Sequence, residues 1–190
     1  YNKSQDILWG RFRKSKKKRP YRIGFEGNHE HRITTAISID PRLEGSKGGR
    51  FGISMSHLQH DKWFDDYHYY DKSEPAIAEY DGVKYAHWMK PNNGRQPMGG
   101  DNHARNLATK MGASCTVGHS HFRNIAFLDG TGYGKGHIGL VAGCFKGSDE
   151  QWAGQSNKLW AKGVVIKRNI CDGMYDPQWV SMDALRKEYG

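Results

Sequence analysis

Three short apolar runs in this 190-residue chain each break off into a polar tip that carries histidine. YRIGF leads through Glu26 into Gly27-Asn28-His29-Glu30, VKYA into His87, and SCTV into Gly118-His119-Ser120-His121. A strand that stops this way delivers polar groups to its C-terminal end, and a glycine there lets the backbone turn tightly. His119 and His121 lie two residues apart. They would share a face on a straight strand, whereas on a tight turn they can address two adjacent cations. Neutral imidazoles and a carboxamide oxygen suit Mn, Zn, Fe or Ni better than Ca or Mg.

The elements between these tips set the expected fold class. Residues 2–10 read as a helix and Arg22–Glu26 as a strand entered past Pro20. Ile33–Ile39 reads as a short helix stopped by Asp40-Pro41. EGSKGGRFG lacks the GK[ST] ending of a phosphate-binding loop and reads as a flexible loop. The aromatic, acidic stretch SHLQHDKWFDDYHYYD reads as helix then loop. Residues 77–89 form a predicted hairpin about Asp81-Gly82. A helix over Asn102–Met111 follows, with Asp101 as its cap and Gly112 as its stop. Ser114–Val117, FRNIAFLD, HIGLVAGCF and KGVVIKRNICDG are strands, and the tail turns from strand to helix. Helices and strands alternate early and strands dominate late, the order of a layered α/β domain.

Charge is concentrated in one place. The net charge is +9, and residues 11–22 hold eight Lys or Arg and no acid, which leaves +1 for everything else. Such a run is either a solvated segment before the first strand or a contact for a nucleic-acid backbone. No run of about 18 apolar residues predicts a membrane helix, and no secretory signal is visible. Cys115, Cys144 and Cys171 are odd in number and widely spaced, as expected of reduced thiols in a cytoplasmic protein rather than a disulfide framework. Among the ten histidines, His57, His60, His68 and His137 read as surface or packing residues. His31 alternates away from His29, and His103 reads as a first-turn helix residue. A nuclease of HNH type built on Asp101-Asn102-His103 lacks a second histidine at workable spacing.

The blocks Gly27-Asn28-His29-Glu30, His87 and Gly118-His119-Ser120-His121 resemble the last three motifs of the calcineurin-like metallophosphoesterase family. The resemblance runs from about Arg22 to the end, and GVVIKRN…YDPQWVSMDALRKEYG is similar to members found in phage genomes. It implies a four-layer αββα sandwich with a two-metal site at the strand ends, of which this chain is the C-terminal part. By resemblance Asn28, His87 and His119 bind one divalent ion and His121 the other. His29 contacts the scissile phosphate as general acid or as a stabilising cation, and Glu30 orients its neighbours. Arg32 and Arg123 flank the motifs and are candidates for the phosphate oxygens.

The family's D-x-H and G-D blocks do not occur before Gly27, where the only acid ahead of Glu26 is Asp6. The expectation is a missing N-terminal segment or a separate chain that supplies those ligands, with one ion incompletely held by this chain. The expected organisation is a basic segment over 1–21, partly helical or mobile, then a metallophosphoesterase domain over 22–190 lacking its first strands. The expected function is two-metal hydrolysis of phosphomonoesters or phosphodiesters, with nucleic acid as a candidate substrate. The alternative is a non-catalytic nucleic-acid-binding or scaffold fragment with half a metal site.

Overall fold

The first apolar run forms a strand of three residues, β1 (Ile23–Phe25), in a computed structural model that describes residues 1–14, 19–45, 52–130 and 134–189. The chain divides into two compact units, Tyr1–Ala76 and Ile77–Gly190. In the first unit α1 (Asn2–Lys14) precedes β1 and α2 (Asn28–Ile39) follows it. A one-turn helix, α3 (His60–Trp63), then leads to β2 (Asp66–His68), which pairs parallel with β1. Of the basic run, residues 11–14 close α1 and 19–22 lead into β1. Residues 15–18 lie outside the described residues, as do residues 46–51 of the glycine-rich loop.

Two features of this unit differ from expectation. The helix expected from Ile33 starts at Asn28, so the Asn-His-Glu block is its first turn rather than a strand tip. Gly27 is extended (φ −97°, ψ 169°), and the Glu30 carboxylate turns back to accept its N–H at 3.1 Å. The first N–H groups of a helix lack intrahelical partners, so a polar opening of this kind is stable there. The aromatic stretch also contains β2, which its sequence hides because Asp66-Tyr67-His68 shows no apolar alternation.

Packing in this unit is aromatic and hydrogen-bonded. Trp63 is buried and donates its indole N–H to Asn2 Oδ1 at 2.8 Å, while Asn2 Nδ2 donates to the His57 carbonyl at 2.8 Å. His60 stacks on Tyr67 with centroids 3.7 Å apart. Buried Glu26 accepts the Tyr70 N–H at 2.6 Å and faces His31 Nδ1 at 3.2 Å. Arg22 is buried against Asp65, its backbone N–H donating to Oδ2 at 2.9 Å.

The second unit is a mixed five-stranded sheet. Its strands are β3 (Ala78–Tyr80), β4 (Val83–Ala86), β5 (Ser114–Val117), β6 (Arg123–Leu128) and β7 (His137–Ala142), in the order β3-β4-β5-β7-β6. β4, β5 and β7 run parallel, and β3 and β6 flank them antiparallel. Asp81 and Gly82 both take positive φ (52° and 76°), the tight turn that this pair favours. The helix α4 (His103–Met111) ends on Gly112 in the left-handed region.

Alternation along the strands separates two faces. Cys115, Val117 and Val141 pack with Ala104 and Leu107 of α4. Val83 and Ile138 pack with Tyr175 on the other side. Tyr175 belongs to a long hairpin, β8 (Gly163–Cys171) and β9 (Met174–Ser181), followed by α5 (Met182–Tyr189). The Asp172-Gly173 turn of that hairpin meets the Asp81-Gly82 turn, with Gly173 N–H donating to the Asp81 carbonyl at 2.9 Å. All three cysteines are free, and burial pushes the Cys115 thiol up to about 11. No described helix is long and apolar enough to cross a membrane.

Candidate metal centre

Parallel pairing of β4 and β5 places Ala86 opposite Val117, so the next residue of each strand leaves the sheet at the same edge. Those residues are His87 and Gly118, and Gly118 N–H donates to the His87 carbonyl at 3.2 Å. The chain then turns hard. Ser120 N–H reaches the Gly118 carbonyl at 2.8 Å, and His119 and His121 both adopt φ 61°. Two non-glycine residues in the left-handed region within three positions are a local cost that surrounding structure must hold, and such strain concentrates at functional sites.

The turn brings two imidazoles together. His119 Nδ1 lies 3.0 Å from His87 Nε2, with ring centroids 4.9 Å apart and planes at 76°. Two nitrogens bound at about 2.1 Å to one ion, at angles of about 90–110°, stand roughly 3.0–3.4 Å apart. The observed contact is an N–H···N hydrogen bond between the two imidazoles, and its length also falls at the short end of that separation. Two polar atoms close to the turn strengthen the fit. Ser120 Oγ and His103 Nε2 are buried without a hydrogen-bond partner among the described residues. His103, 3% exposed, opens α4. Burial first, and then the neighbouring His119, hold its pKa below the ordinary histidine value. Its first-turn placement agrees with the sequence reading, and its buried Nε2 is unsuited to the general-base role of an HNH nuclease.

His121 faces a different environment. Its carbonyl accepts the Ala161 N–H at 2.9 Å, and its ring meets Trp160 edge to face at 4.4 Å. Arg123 opens β6 with its guanidinium 5.2 Å from the Trp179 ring centroid. It also lines a cavity of about 280 Å³ with Asp101, His103, Phe122 and Asn124. Asn124 takes over the cap of α4 that the sequence assigned to Asp101, since its Oδ1 accepts the Ala104 N–H at 2.9 Å.

The remaining candidates belong to the first unit. Asn28 is half-buried and His29 exposed on the first turn of α2, and Arg32 is exposed one turn on. Glu30 is occupied in capping Gly27. Thus the structure brings His87 and His119 into contact, sets His121 on the same strained turn, and stations Asn28 and His29 at a helix start. Among the described residues no group of three or more His, Cys, Asp or Glu is gathered for one ion. Trp160 was missed in the sequence because nothing local links it to His121; its link is the hydrogen bond made by the next residue, Ala161.

Comparison with known proteins finds no matching family model, curated protein or solved structure.

Proposed function

We propose that this chain carries part of a metal-dependent phosphoesterase centre that hydrolyses phosphomonoesters or phosphodiesters. The observation that supports the reading most is the 3.0 Å His87–His119 pair on a backbone strained at His119 and His121. On this reading His87 and His119 present neutral ring nitrogens to one divalent ion, and His121 presents its ring to a second. Trp160, edge-on to His121, limits how that ring can rotate. Asn28 and His29 take their roles from the motif: a carboxamide oxygen ligand, and a proton donor to the leaving-group oxygen. Arg32 and Arg123, one on each unit, stay candidates from the motif resemblance for the non-bridging phosphate oxygens, which a planar guanidinium matches. Divalent ions in such a site supply Lewis acidity toward phosphoryl oxygen and lower the pKa of the attacking water.

The test is hydrolysis of an aryl phosphate monoester and diester with added Mn²⁺, using the protein at its natural full length and His119→Ala beside it. The reading expects metal-dependent turnover that falls at least about a hundredfold in the variant, the order of loss on removing a group that stabilises transition-state charge. No metal-dependent turnover from protein that binds the ion would leave the non-catalytic, nucleic-acid-binding alternative standing instead.

A further inference from the structure

The segment after β7 holds two indoles in an unusual setting. Trp160 packs against His121, and Trp152 sits beside Trp160 with centroids 5.7 Å apart and planes at 56°. Trp152 is nevertheless 68% exposed. Lys146 Nζ lies 4.9 Å from the Trp160 ring centroid and 5.8 Å from that of Trp152, tethered to Glu150 at 2.9 Å.

The turn that presents Trp152 is built rather than loose. Asn157 is 8% exposed and stitches the turn from within. Its Oδ1 accepts the Glu150 N–H at 2.9 Å, and its Nδ2 donates to the carbonyls of Glu150 at 2.7 Å and Gly154 at 3.0 Å. Gly154 supplies the reversal with φ 49°, ψ −126°. At its far end, Ala161 N–H bonds to the His121 carbonyl and Cys144 N–H to the Ala161 carbonyl, both at 2.9 Å. An indole face is therefore held in water by a fixed turn whose end is registered to the Gly-His-Ser-His turn.

An immobilised, exposed indole is a surface for stacking a flat ring, and a neighbouring cation suits a ligand that carries negative charge. We propose that Trp152, with Trp160 and Lys146 beside it, is a stacking platform for the base of a nucleotide phosphoester, such as a residue of single-stranded nucleic acid. Calling that nucleotide a substrate rests on the phosphoesterase reading; the binding itself does not. A neutral sugar also stacks on tryptophan, but it gains nothing from the Lys146 ammonium beside the two rings. Next to Trp160 a polar cavity of about 430 Å³ offers room for the adjoining sugar; Lys162 and Arg186 line it together with Asp149 and Asp183, the carboxylates they pair with.

The test is fluorescence anisotropy with a labelled oligothymidylate of about eight nucleotides, in EDTA so that no turnover occurs. Base stacking on one aromatic side chain is worth about 5- to 150-fold in affinity. Trp152→Ala should weaken binding at least about fivefold, and Trp152→Tyr should recover most of the loss. An abasic oligomer of equal length should bind the natural protein more weakly and should not distinguish it from Trp152→Ala. Unchanged affinity in Trp152→Ala, equal binding of the abasic oligomer, or a preference for a neutral oligosaccharide would overturn the platform. Aryl phosphate turnover in the same preparation separates the two ideas. Turnover without base-dependent binding removes the platform alone; base-dependent binding without turnover keeps the platform and removes the enzyme.

Discussion

Lys167 shows how far a single residue can depart from its sequence surroundings. It lies on β8 beside exposed Arg168 and Asn169, yet its ammonium is turned inward. Nζ donates to Tyr85 OH at 2.9 Å and Thr116 Oγ1 at 2.6 Å, and lies 4.2 Å and 4.4 Å from the ring centroids of Tyr85 and Tyr175. The groups facing it are two phenols, a hydroxyl and the Cys115 thiol, so burial outweighs any stabilising charge and brings its pKa down to about 7. An unfolded lysine titrates near about 10.4. Between about pH 7 and 10 the unfolded chain therefore binds more protons at this position, and stability should rise with pH across that window. Below about pH 7 the cost of burying the charge is fully present. Burial and neighbouring charge raise the pKa of Tyr85 and push that of Tyr175 up to about 12, so their opposing contribution begins only when unfolded tyrosine ionises, near about pH 10. Urea unfolding of the natural protein and of Lys167→Met at pH 7 and 9 reads the effect. The variant's stability advantage should be largest at pH 7 and clearly smaller, though not gone, at pH 9. A stability difference that does not change with pH would contradict a buried titrating amine.

At the scale of elements, α4 can lie close to β7 because Gly139 has no side chain. A methyl group there would overlap the Ala104 carbonyl oxygen. Gly139→Ala should cost about 1–3 kcal/mol, as overpacking of a core does, whereas Gly99→Ala, with open space around it, should stay within about 0.5 kcal/mol. Thermal unfolding of the two variants checks the contrast.

The elements legible in the sequence were those whose local chemistry matched their tertiary setting. Ser114–Val117 reads as a strand and is one, and Asp81-Gly82 reads as a hairpin turn and has the positive φ values of one. The elements that were not legible took their form from distant partners. β2 is a strand only because β1 pairs with it, and α2 starts early because Glu30 reaches back to Gly27. The 151–158 turn depends on the Asn157 amide, whose three bonds leave no periodic trace. The candidate site divides the same way. Its histidines stood out because apolar runs and glycines precede them. The contact of His87 with His119 required the parallel β4–β5 register, and Trp160 beside His121 required a hydrogen bond across 40 residues of sequence.

For the molecule as a whole, a mixed sheet delivers two imidazoles to one edge, and the turn that follows holds a third in a strained backbone. A divalent cation fits the spacing of the first two nitrogens, and the left-handed backbone at His119 and His121 fixes where their rings are presented. Isothermal titration of the metal-free protein with Zn²⁺ or Mn²⁺, set against His119→Ala, addresses this claim most directly. The account predicts saturable binding by the natural protein, weakened at least about tenfold when His119 is removed. Equal binding by the two proteins, or no binding by the natural one, would contradict it.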